Sequence, residues 1–86
     1  MLTITPRGEE VLKAVEAGLI TRLPLQGKVI LIVLSNQGPL EEKELEHEVE
    51  AFWQKTGIKF TPRTRPAMRV LFEAGLIDKV EEANNA

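Results

Sequence analysis

The chain has 86 residues, 43% of them apolar and 28% charged, with a net charge of −2 and no cysteine. That length makes one small domain burying about 60–65% of its unfolded surface, which leaves little room for a deep catalytic cleft. The slightly acidic balance argues against an indiscriminate nucleic-acid binder, and the missing cysteines exclude disulfides and cysteine-based zinc sites, so stability has to come from packing or from a partner subunit.

Leu2 and Ile4 alternate with polar neighbours and predict a short strand or extended arm. Thr5 as N-cap, Pro6 at the first helical position and Glu9 and Glu10 in the first turn then open a helix. Its apolar face, Val11, Leu12, Val15 and Leu19, runs to a stop near Gly18. Pro24 ends this region, so residues 1–24 read as an N-terminal extension with a helix, residues 25–82 as the core of a single domain, and residues 83–86 as a frayed tail. The run Val29 to Leu34 has strand propensity, yet periodicity alone does not separate a buried strand from a buried helix over so short a stretch. It falls far short of the roughly 20 apolar residues of a membrane helix, and no secretory signal follows Met1, so no membrane association and a cytoplasmic location are expected.

Ser35 to Pro39 form a turn, and a further helix begins around Pro39 to Glu41 with Leu45, Val49, Phe52 and Trp53 on one face and Gly57 at its end. This spacing assigns Phe52 or Trp53 to the core rather than to a base-stacking platform. Ile58 and Phe60 are apolar anchors in the next turn. The segment Thr61 to Ile77, TPRTRPAMRVLFEAGLI, then packs start and stop signals around a basic helix. Pro62 and Pro66 keep the helix from starting before Thr64 or Arg65, Thr64 is the N-cap candidate, and Gly75 closes the helix. Ala67, Val70, Leu71 and Ala74 are spaced to face a core, with Arg63, Arg65 and Arg69 on the preceding loop and outer face. Leu76 to Val80 is extended, and a strand partner would have to be borrowed, with Leu2 to Ile4 available. The segments Thr5 to Ile20 and Thr61 to Ile77 echo each other in their Thr-Pro-Arg openings and Glu-Ala-Gly-Leu-Ile endings, which reads as one start and stop chemistry used twice.

Charge is blocked along the chain. Glu41 to Glu50 holds six glutamates and one lysine, whereas Ala51 to Phe72 holds Lys55, Lys59, Arg63, Arg65 and Arg69 and no acid. Such a dipole can aim its positive side at phosphate, pair with itself, or meet a charged protein. Catalysis has little to build on. There is one histidine, one aspartate and one serine, with no tyrosine, so no nucleophilic triad assembles, no glycine-rich phosphate loop is present, and the chain is not expected to be an enzyme. Glu44 and His47 make half of a di-iron spacing without a second copy, so neither a metal nor a cofactor is expected.

KVILIVLSNQGPLEEKEL (Lys28 to Leu45) and TRPAMRVLFEAGLI (Thr64 to Ile77) resemble the winged helix-turn-helix family of transcription regulators, over about two-thirds of the chain. The resemblance implies a mainly α fold of three or four helices with a short or minimal β wing, and it makes Val29 to Leu34 helical. It also implies a DNA-binding regulator that reads the major groove with the helix Thr64–Ala74. Carried over by position, Arg63, Thr64, Arg65, Met68 and Arg69 would face double-stranded DNA and Lys59 would contact phosphate. A homodimer is the expected assembly, with the helix Glu9–Leu19 as its contact. Glu41, Glu42 and Glu44 depart from the family pattern where it approaches the DNA backbone, as do Glu81 and Glu82 at the wing tip. The alternative is therefore a protein-interaction module that docks on a basic protein through its acidic helix 41–50 without binding DNA.

Overall fold

The computed structural model describes residues 1–19, 23, 25–57 and 64–80. The elements are β1 (Leu2–Ile4), α1 (Pro6–Glu16), α2 (Leu25–Gln37), α3 (Glu42–Lys55), α4 (Thr64–Glu73) and β2 (Ile77–Lys79). The chain is mainly helical, with one small antiparallel sheet. No helix among the described residues is long and apolar enough to cross a membrane.

The start of α1 follows the local chemistry. The Thr5 side chain accepts the Gly8 N–H at 3.0 Å, Pro6 opens the helix, and the Thr5 hydroxyl donates to the Gly75 carbonyl at 2.7 Å. One hydroxyl thereby caps α1 and ties it to the turn after α4. Thr5→Ala removes both bonds and is expected to lower stability by about 1–2 kcal/mol in urea unfolding with an unchanged m-value. Thr5→Ser, which keeps the hydroxyl, should recover most of that loss.

α1 and α4 also end alike. Gly18 has φ 78° and Gly75 has φ 75°. The Gly18 N–H bonds the Val15 carbonyl and the Leu19 N–H bonds Ala14, while the Gly75 N–H bonds Phe72 and the Leu76 N–H bonds Leu71. Both are Schellman closures, in which a left-handed glycine lets two amides satisfy carbonyls left open at the helix end. The expected α1 face is corrected at one position. Gly8 and Leu12 are buried and Val11 and Val15 half-buried, but Leu19, beyond the glycine, is 81% exposed.

The expected loan of a strand is observed. β1 pairs antiparallel with β2, with Leu2 opposite Lys79, Thr3 opposite Asp78 and Ile4 opposite Ile77. On its other edge Leu2 exchanges two backbone bonds, of 2.7 and 3.0 Å, with Leu40 between α2 and α3. β1 thus lies between the chain's C-terminal strand and its central connection. The edge of β2 away from β1, unpaired among the described residues, is blunted at Lys79, whose N–H is taken by the Asp78 carboxylate at 2.8 Å, a local bond that competes with any added strand.

α2 packs against α1, α3, α4 and β1. That setting explains why Val29 to Leu34 lacks an amphipathic pattern: Val29, Ile30, Leu31, Val33 and Leu34 are all buried because the helix is covered on several sides. α3 contributes Leu45, Val49 and Trp53, four residues apart and at most 2% exposed, so Trp53 is a core residue and Phe52 is half-buried beside it. Its start is supported by Glu44, whose carboxylate accepts the Glu41 N–H at 3.2 Å.

In α4 the expected core face is corrected. Thr64, Met68 and Leu71 are buried and Ala67 is half-buried, whereas Val70 is 51% exposed and Ala74 is also exposed. The helix is rotated so that Met68, with far more apolar surface than Ala74, enters the core. That rotation decides which side chains are left to face a ligand.

Candidate nucleic-acid interface

The outer face of α4 carries Arg65, Pro66, Arg69, Val70 and Glu73. Arg65 and Arg69 are four residues apart and share one side of the helix. The turn at Gly75 reverses the chain so that β2 runs back along α4, and Lys79 lines the same shallow depression as the two arginines. This depression, of about 210 Å3, has Leu2, Met68 and Phe72 as its apolar lining and Glu42 as its one acid. Three cations around one surface hollow suit an anionic group such as a backbone phosphate.

The acidic helix is not on the far side of the molecule. Arg65 Nε lies 3.7 Å from a carboxylate oxygen of Glu42 and 3.5 Å from one of Glu46, both on α3. The sequence dipole therefore closes partly on itself. The Arg65 side chain remains 74% exposed, so water and salt screen these pairs. Among the described residues, Arg69 and Lys79 pair with no carboxylate.

Of the six residues expected to meet DNA, Arg65 and Arg69 are exposed on one face. Lys59 and Arg63 lie outside the described residues, as do Ile58 and Phe60, expected as turn anchors, and Glu81 and Glu82, expected at a wing tip. Met68, at 3% exposure, packs in the core and reaches the outside only as part of the apolar lining of the depression. Thr64, at 9%, is likewise turned inward. Lys79 was not among the expected contacts, because its place depends on strand register between the two ends of the chain and no local signal carries that.

A second depression, of about 330 Å3, is lined by Gln37, Leu40, Lys43, Glu44, His47 and Glu48. Its carboxylates already have partners, since Glu48 accepts the Gln37 side-chain amide at 2.7 Å and Glu44 caps α3. No group of three or more histidine or acidic side chains able to hold a metal occurs among the described residues.

Fold and surface together define a small, mainly helical domain with a basic helix face bordered by acids. No protein-family model, curated protein or solved structure matches the chain.

Proposed function

We propose that the chain is a small DNA-binding protein, a transcriptional regulator of winged helix-turn-helix type acting as a homodimer, in which α4 meets the major groove. The observation that carries this reading is the convergence of Arg65, Arg69 and Lys79 on one surface. The order of α2, a tight connection, α3, α4 and β2 supports it, with β1 paired to β2 and standing in for a wing strand. Arginine on the helix can bond guanine bidentately, while Lys79 on the strand serves as a point charge on phosphate.

The test is fluorescence anisotropy of labelled duplex fragments at low salt. Arg69→Ala with Lys79→Ala leaves the Arg65 ion pairs intact, and it should weaken binding at least about tenfold and make the slope of log K against log salt about two units shallower. No binding by the wild-type chain at micromolar concentration, or affinity untouched by the double substitution, would sink the reading.

A second reading has its own observation. Glu42 and Glu46 already form ion pairs with one guanidinium side by side, which is the chemistry by which α3 would dock on a basic protein. It predicts a flat DNA titration and a protein partner whose binding is abolished by Glu42→Lys with Glu46→Lys.

A further inference from the structure

We propose that α3 carries a built-in competitor for DNA, in which Glu42 and Glu46 occupy the position of phosphate on Arg65 and keep the basic face partly closed until a duplex displaces them. The inference rests on the DNA-binding reading above and adds a regulation of that site. Glu42 and Glu46 are one helical turn apart and share a face of α3. Arg65, in the first turn of α4, is held by one oxygen of each, at 3.7 and 3.5 Å. Two carboxylates near one guanidinium occupy it electrostatically, as a pair of DNA phosphates would.

The other cations define the order of events. Arg69 and Lys79 line the same hollow and have no carboxylate partner among the described residues, and the competitor has them make the first phosphate contacts. Arg65 then exchanges its glutamates for phosphate, and the exchange is easy because all three side chains are partly solvated, at 74, 52 and 34% exposure. The acids lie against the basic face itself, so they act as a threshold that weak or poorly placed duplexes do not cross.

Glu42→Gln with Glu46→Gln keeps side-chain size and removes the competing charge. It is expected to tighten duplex binding about three- to tenfold at low salt. Glu10→Gln with Glu48→Gln removes the same charge away from Arg65 and should change affinity by no more than about twofold. In an Arg65→Ala background, the gain from the Glu42 and Glu46 substitutions should shrink to that of the control. Without DNA, urea unfolding should show coupling between Arg65→Ala and Glu46→Gln, the double variant being more stable than the sum of single effects implies. A gain equal to the control's, or one undiminished in the Arg65→Ala background, overturns the competitor while leaving DNA binding standing. Failure of the wild-type chain to bind any duplex at micromolar concentration overturns the DNA-binding reading and the competitor with it.

Discussion

Met68→Ala is expected to lower stability by about 2–4 kcal/mol, because it removes most of a buried, flexible side chain from a core too small to collapse around the gap. Met68 is 3% exposed, below the surface on which Arg65 and Arg69 stand. A domain of this size has a total stability of roughly 4–13 kcal/mol, so the loss is a large fraction of the whole. Met68→Leu conserves volume and should cost less than about 1.5 kcal/mol. Thermal or urea unfolding of the two variants checks this. A Met68→Ala protein as stable as the wild type but weakened in DNA binding would return Met68 to the interface and require a different rotation of α4.

Gly8→Ala is expected to destabilise by about 2–3 kcal/mol, against the usual helix preference that favours alanine by roughly 1 kcal/mol. A Cβ at Gly8 would overlap the Leu76 carbonyl oxygen and come within 2.7 Å of Ile4 Cγ1. The obstacle is backbone, which has no rotamer to change. Relief requires α1 to move off the sheet, and that strains the Thr5 N–H bond to the Leu76 carbonyl at 3.0 Å and the Thr5 hydroxyl bond to Gly75. Gly27→Ala is the control, since its Cβ would meet Leu71 Cδ2 at 3.4 Å and Leu23 Cδ1 at 3.7 Å, which is ordinary contact. That variant should be neutral or up to about 1 kcal/mol more stable. Scanning calorimetry should place the two melting points on opposite sides of the wild type or nearly so, with Gly8→Ala lower by roughly 8–24 °C. Equal melting points for both variants would mean that α1 does not sit as close to the Leu76 turn as the structure has it.

Much of the candidate site was legible in outline. Arg65 and Arg69 on the outer face of a helix beginning at Thr64 followed from proline and glycine punctuation. The side on which Met68 falls did not, because Ala67, Val70, Leu71 and Ala74 make a plausible stripe and only the volume offered by the neighbouring helices favours the larger Met68. The link between Arg65 and Glu42 and Glu46 joins residues about 20 positions apart, and a block-charge pattern states only that opposite charges are available. Lys79 needed the register of β1 on β2.

The two Glu-Ala-Gly-Leu endings separate what is local from what is not. At Gly18 and at Gly75 the same residues make the same closure, because cap bonds reach only three to five residues back and a left-handed glycine is all they require. The sequence by itself determined these stops and the Thr5 and Pro6 start, and it left Leu2 to Ile4 as either a short strand or an extended arm. Yet the leucine after the first glycine is 81% exposed and the one after the second is 5% exposed. Burial, ion pairing and strand register depend on which other element occupies the neighbouring space, so the tertiary structure alone decided that Leu76 joins the core, that Met68 lies inside, and that Arg65 meets the acids of α3.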